Sequence, residues 1–381
     1  MLETIGNLFL DFQIGRSLKS LTLRIFNKYS HDTYPITPTP KSSRGFRVIC
    51  KDPYIVFTSE RTTEIEVFSK ELINNKAYFF VIFASSLVSE PHKIRQLRDC
   101  YHKQITLYPN HRIIYLCNTE KERDLIQPFC KDSHFINHNA FLDEQVYRIF
   151  KLEKDIDVVY NGRINRSKRH YLIPRKFRIS LISNSIINLA KEKHYRNRLR
   201  KSLGNAILEN FPGGKTLNEI PDNDLSNIPQ LTDGEVTLLL NRSKVGLILS
   251  AMEGANYASM EYLLCGLPVV STISIGGRDV FLKNKYCRIV RSTRKAVEKA
   301  IQEVMNANYS PEEIRNHTLE QIRPHRERFL AVVDSVLKEN DISMTSQTFW
   351  DTFFVNKMTG FKPFPEVFRE EMQKAVSLKN L

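Results

Sequence analysis

Residues 251–280 read AMEGANYASMEYLLCGLPVVSTISIGGRDV. The seven residues before them, 244–250 (KVGLILS), are an apolar, β-branched run bounded by polar residues, which predicts a buried parallel strand ending near Ser250. Beyond it come Glu253 and Gly254 in a turn, a helix over about 256–265, then Gly266, Pro268 and a short strand over 267–271. In an open α/β sheet, ligands bind past the carboxyl ends of the strands, where helix N-termini present free N–H groups. Glu253 falls in that crevice by position, and Glu261 lies about two turns into the helix. Two acceptors roughly 10 Å apart suit two hydroxyl-bearing ends of one elongated ligand, though a solvated helix face carries such pairs too. Gly254, without a Cβ, lets a ligand approach the backbone closely.

Composition sets the frame for this stretch. A chain of 381 residues suits two domains of ordinary size, and 41% hydrophobic with 26% charged residues is the balance of a globular protein. No uncharged apolar run reaches the roughly 18 residues of a membrane span, and the first twenty residues lack a basic then apolar leader, so a cytoplasmic location is expected. Six cysteines at 50, 100, 117, 130, 265 and 287 show no paired spacing, which argues for reduced thiols rather than disulfides or zinc. A formal charge of +14 asks for an anionic partner. Nucleic acid is disfavoured, because no RNA-binding aromatic motif or zinc finger accompanies the charge. An anionic membrane surface or a phosphorylated substrate remains.

Taken in order, residues 1–45 mix Leu, Ile and Phe with Arg16, Lys19, Arg24 and Lys28, which fits either a helix packed on the domain or a basic helix lying on a membrane. From Arg47, short strands (RVIC, YIVF, AYFFVIF, RIIYLC) alternate with helices, the pattern of a parallel sheet covered on both faces. A turn at 137–147 leads out of this first domain near residue 150. The second domain, 151–340, opens with the strand IDVVY and continues NGRINRSKRH; Gly162 permits a sharp turn, and Arg163 and Lys168 either reach toward a diphosphate or form a solvated basic turn. Asp155 and Asp157 form a DxD pair, but they precede a buried strand rather than end one and read as its solvated start. Thr232 and Glu235 form a capping box, and Ser310 with Pro311 opens a long helix to about Lys338. Rings at Phe349, Trp350, Phe353 and Phe354 read as packing.

The segment EGANYASMEYLLCGLPVVSTISIGG resembles the Glu-x7-Glu signature of retaining GT-B glycosyltransferases of family four, usually close to EGFGLVxLEAMACGxPVVATxxGG. Glu253, Gly254, Glu261, Cys265, Gly266, Pro268, Val269, Val270, Gly276 and Gly277 match in register, and Gly162, Arg163 and Lys168 reproduce the Gly-Arg-x4-Lys spacing of the donor domain's first loop. The resemblance covers about residues 135–335. It implies two Rossmann-like domains facing across a cleft, with acceptor on the first and nucleotide-sugar on the second, and a C-terminal segment, 341–381, that crosses back to the first. Arg163 and Lys168 would neutralise the departing diphosphate, Glu253 would meet the donor sugar, and Glu261 the ribose. Gly254, Ala255 and Asn256 would lend amides, as would Gly276 and Gly277. It implies no cofactor and no metal, transfer with retention, and a glycan or lipid-linked acceptor of cell-surface polysaccharide or lipopolysaccharide synthesis at the inner membrane face. The first domain of such proteins supplies a His or Asp near the reacting centre; His92, His102, His134 and His138 are the candidates here. Ala255-Asn256-Tyr257 and Tyr262 depart from the family wording. A second reading is a basic module that keeps the fold without transfer and binds anionic membrane or nucleic acid.

Overall fold

A computed structural model describes residues 43–84, 86, 91–183, 189–225, 228–363 and 366–380. Arg16, Lys19, Arg24 and Lys28 lie outside the described residues. The first lobe is a sheet of β1 (Ser43–Cys50), β2 (Tyr54–Ser59), β3 (Ala77–Ile82), β4 (His111–Cys117) and β5 (Ser133–Phe135), with helices α1 (Thr62–Glu71), α2 (Pro91–Leu107) and α3 (Glu120–Ile126) between successive strands from β2 on. Strands β2 to β5 run parallel, as the alternation requires. β1 does not: it pairs antiparallel with β2, because only three residues, 51–53, join them and a parallel pair needs a long crossover. Every residue of β3 (AYFFVI) is buried, so both faces of the sheet are covered.

The second lobe begins with β6 (Ile156–Asn161) and β7 (Ile179–Ile182), then helix α4 (Leu189–Leu203) and the short β8 (Ile207–Leu208) and β9 (Lys215–Thr216). Helices α5 (Asp222–Leu225) and α6 (Asp233–Asn241) lead into β10 (Ser243–Ile248), α7 (Tyr257–Leu264), β11 (Val269–Thr272), β12 (Cys287–Val290) and α8 (Arg294–Asn306). The strand order is β12-β11-β10-β6-β7-β8-β9, parallel except at β8 and β9. From β6 the chain moves to one side, through β7 and β8, and from β10 to the other, through β11 and β12. The order therefore reverses between β6 and β10, and a crevice opens at the carboxyl ends of those two strands.

Local chemistry sets this register. The Asn256 side chain accepts from Ser259 N–H and starts α7; Gly266, at φ 71°, stops it in a left-handed conformation that costs a residue with a Cβ more. A Cβ on Gly246 would lie 2.3 Å from the Tyr262 ring, so β10 is glycine where α7 lays its tyrosine on the sheet. The Tyr262 hydroxyl in turn accepts from Asn161 N–H at 2.6 Å, joining α7 to the end of β6. Tyr262, a departure from the family wording, is thus matched by Gly246.

Helix α9 (Pro311–Glu339) belongs to both lobes. Its first half buries Ile314 and Ile322 with the second lobe's Leu263 and Leu264, and its second half packs Phe329, Val333 and Val336 against Phe57 and Phe80 of the first. After α10 (Ser346–Phe353), strand β13 (Gly360–Pro363) pairs antiparallel with β1, and α11 (Glu366–Lys374) sets Phe368 against Phe46 and Phe68. Trp350 stacks on Phe354 at 4.3 Å and touches Phe141 and Phe329, so these rings are packed against other rings rather than held out as a platform. All six cysteines are buried and free. Among the described residues no helix is long and apolar enough to cross a membrane.

Candidate functional site

The crevice at the ends of β6 and β10 collects most of the residues singled out in the sequence. After β6, Gly162 and Arg163 lead into a short turn capped by Asn165, whose side-chain oxygen accepts from Lys168 N–H. That turn aims the Lys168 ammonium at Glu253, and the two form an ion pair with side chains 19% and 13% exposed. Asn256 Nδ2 donates to the other Glu253 oxygen at 2.6 Å. Burial pulls the Glu253 pKa upward, but Lys168, a hydrogen bond from Ser250 and the charge of Arg278 together outweigh it, and the carboxyl ends below its usual range.

Gly276 and Gly277 press directly under this pair. A Cβ on Gly276, at φ 113°, would sit 1.8 Å from the Glu253 carbonyl oxygen. Gly277 N–H donates to Gly254 O at 2.7 Å, so that amide closes the turn and is not free to face a ligand. The first lobe touches the same turn: Asn137 Nδ2 donates to Gly277 O at 2.9 Å and to Asn118 O at 3.0 Å. One of the four histidines, His138, feels the charge of Glu253. It is buried, with its ring 5.1 Å from that of Tyr257 and its Nδ1 without a hydrogen-bond partner among the described residues. Burial lowers its pKa to about 4, and Glu253 only partly opposes this, so the ring is neutral at pH 7.

Two site residues stand apart from the pair. Arg163 is exposed, and its side chain makes no hydrogen bond or ion pair among the described residues. Glu261 is 3% exposed and already held: Asn161 Nδ2 donates to it at 2.9 Å, the Tyr147 hydroxyl at 3.2 Å, and Lys357 Nζ lies 3.1 Å away. Gly162 N–H donates to Ile182 O and Ala255 is buried beside the turn. Asp155 and Asp157 lie at the other end of β6, paired with Arg242 and Lys244.

Several residues of this site carry no motif. Arg278 is fully buried; its guanidinium donates to Ser250 O at 2.6 Å and to Thr272 O, and pairs with Asp279 at 2.7 Å. Arg169, also buried and at φ 52°, donates to Leu249 O and to Thr272 Oγ1. These two arginines tie the ends of β10 and β11 together beneath Glu253. Lys357, at φ 69°, comes from the return segment after α10. Its N–H donates to Phe141 O at 2.8 Å, its carbonyl accepts from the Tyr257 hydroxyl at 3.1 Å, and its ammonium spans Glu261 and Asp233. Its neighbour Asn356 accepts from Asp143 N–H and donates to Asp233.

Residues 356 and 357 therefore clasp the exit of the first lobe to the acids of the second. Lys357→Met keeps most of the stem but takes the cation from two carboxylates, one of them buried, leaving them only neutral donors, and is expected to destabilise the protein by about 3 kcal/mol in urea unfolding. A loss below about 1 kcal/mol would mean the clasp adds little beyond an exposed ion pair.

No protein-family model matches the chain, and no curated protein matches it in sequence. Its fold is similar to that of sucrose-phosphate synthase from Thermosynechococcus elongatus, with a TM-score of 0.52 at 13% identity over 87% of this chain and 81% of that one. It is similar also to HepE from Anabaena in complex with UDP, with a TM-score of 0.51 at 11% identity over 74% and 79% of the two chains. At these identities the likeness establishes architecture: two Rossmann-like α/β lobes facing across a cleft, the GT-B fold.

Proposed function

We propose that the protein is a retaining, metal-independent glycosyltransferase of the family-four type, moving a sugar from a nucleotide-sugar to a glycan or lipid-linked acceptor. The observation that carries this reading is the meeting of Lys168 and Glu253 at the point where strand order reverses, with Gly254 and Asn256 beside them and the first lobe's buried His138 within the influence of the same acid's charge. In this reading the first lobe, 1–150, takes the acceptor, the second, 151–340, takes the donor, and 341–381 crosses back.

Lys168 and the unpaired Arg163 would neutralise the diphosphate where charge grows as the glycosidic bond breaks. Glu253, held ionised, would accept from hydroxyls of the donor sugar, and His138 would lie near the sugar from the acceptor side. A carboxylate offers about four lone-pair sites, so Glu261, held by Asn161 and Lys357 and sharing the Tyr147 proton with the nearer Asp233, keeps about one or two for a ribose hydroxyl. The acceptor class fits cell-surface polysaccharide or lipopolysaccharide synthesis at the inner membrane face, where a cationic protein is drawn to anionic lipid.

A thermal-shift panel of UDP, GDP, ADP and CMP tests the reading, with UDP the first choice because HepE is described in complex with it. One nucleotide should stabilise the protein, and Glu261→Ala should lose that shift with its circular dichroism unchanged. Stabilisation by none of the four would favour the basic binding module instead.

A further inference from the structure

The chain's positive charge is concentrated. Thirteen of its 56 lysines and arginines lie between residues 163 and 201, against one acid, Glu192. Almost the whole formal charge of +14 is thus carried by a tenth of the sequence. Some of these cations serve the fold or the cleft. Lys168 meets Glu253, Arg169 ties strand ends, and Arg200 donates to Leu217 O and pairs with Asp222.

The others gather elsewhere. Strands β6, β7 and β8 are parallel, so residues just before β7 and β8 lie at the edge of the sheet opposite the cleft. There Arg175, Arg178, Lys201, Asn205 and Asn218 line an open hollow of about 290 Å³. All five are exposed. Arg175 reaches only the Lys201 carbonyl, at 3.5 Å, and the Lys201 ammonium and the side-chain amides of Asn205 and Asn218 have no hydrogen bond among the described residues. Arg178 reaches Asp155 at 3.5 Å, but Arg242 already holds both oxygens of that carboxylate, at 2.9 and 2.6 Å.

More like charge borders the rim. Helix α4 turns Lys193, His194 and Arg198 to solvent. Burial lowers the pKa of Arg294, and the like charges of Arg175 and Arg198 lower it further. Such crowding costs stability unless an anion relieves it. The dipole at the C-terminus of α4 offsets only Arg200 and Lys201, and Arg200 is already engaged.

We propose that this hollow binds a phosphate group, supplied either by a small phosphorylated molecule or by a lipid headgroup, at a site separate from the cleft. Arg175 and Arg178 present forked donors that suit phosphate oxygens, Lys201 adds a point charge, and the two amides complete the shell. Nucleic acid is a poorer fit. The two aromatic rings of this surface, Tyr171 and Phe177, are covered by Arg198 and Lys176, each at 5.2 Å, and offer no stacking platform.

The test compares the full chain with an Arg175→Ala/Lys201→Ala variant, whose changed side chains are exposed and hold no core residue. Both are titrated, at matched ionic strength, with inorganic phosphate, with phosphatidylcholine vesicles with and without phosphatidylglycerol, and with a mixed-sequence DNA duplex. Saturable binding of inorganic phosphate that weakens on the order of 10–100-fold in the variant supports a site for small phosphorylated ligands. Binding of phosphatidylglycerol vesicles, but not of free phosphate, that is lost in the variant supports a headgroup site. If the variant matches the parent toward both, or differs from it only toward DNA, the hollow is not a phosphate site. The nucleotide panel reads the cleft and is independent of either result.

Discussion

Arg278→Met is expected to destabilise the protein by about 4 kcal/mol in urea unfolding, the largest stability loss of any single change near the site. Methionine fills most of the arginine's volume, so the effect isolates the polar head. That head is fully buried and holds Ser250 O, Thr272 O and Asp279. The two carbonyls lie just past β10 and at the end of β11, where the ladder between the strands runs out. Left without donors in a dry interior, each costs on the order of 1–3 kcal/mol, and Asp279 loses its cation as well. Arg278→Lys should recover part of the loss, since an ammonium keeps the charge but lacks the fork that reaches several acceptors at once. A loss below about 1.5 kcal/mol for Arg278→Met would show that Arg169, which grips Leu249 O and Thr272 Oγ1 next door, holds the strand ends alone.

Arg278 also marks where reading the sequence stops. The succession of strand, acidic turn, helix, glycine and strand through residues 244–272 is legible because each piece has a local cause: a β-branched run, an Asn256 cap, a left-handed Gly266. An arginine in a loop has no such local signature and reads as a solvated side chain. Only the side-by-side ends of β10 and β11 make it a buried clamp. The partners of Glu261 were hidden for the same reason, since Asn161, Tyr147 and Lys357 come from three distant parts of the chain and meet only in the folded molecule. Spacing correctly put Lys168 and Arg163 after β6, but it could not tell that the turn capped by Asn165 aims the first at Glu253 and leaves the second in solvent. In the first lobe, β1 has the strand composition that the alternation shares, and its antiparallel direction follows only from the brevity of the link at 51–53.

Lys168→Met separates catalysis from packing at the pair on which the transferase reading rests. On that reading, turnover should fall on the order of 10²–10³-fold, the usual cost of losing one group that stabilises developing charge. Stability should fall too, because Glu253, 13% exposed, would lose its paired cation and keep only the hydrogen bonds of Asn256 and Ser250 and the charge of Arg278. Its carboxyl would then lose the main charge that opposes its burial, and its pKa should rise. With the group more readily protonated in the folded state than before, the stability deficit of Lys168→Met should be largest at neutral pH and shrink as pH falls through the raised value. Adding Glu253→Gln removes the stranded charge and should restore most of the stability lost to the first change, since the pair is then absent from both sides. It should not restore turnover, because the diphosphate would still lack its cation and the sugar would have lost its acceptor. If the double variant instead regains both, or if Lys168→Met transfers sugar at the parent rate, then the ion pair is a structural tie. Arg163→Ala supplies the comparison: its exposed side chain leaves stability within about 0.5 kcal/mol, so any turnover lost with it reports on the diphosphate alone.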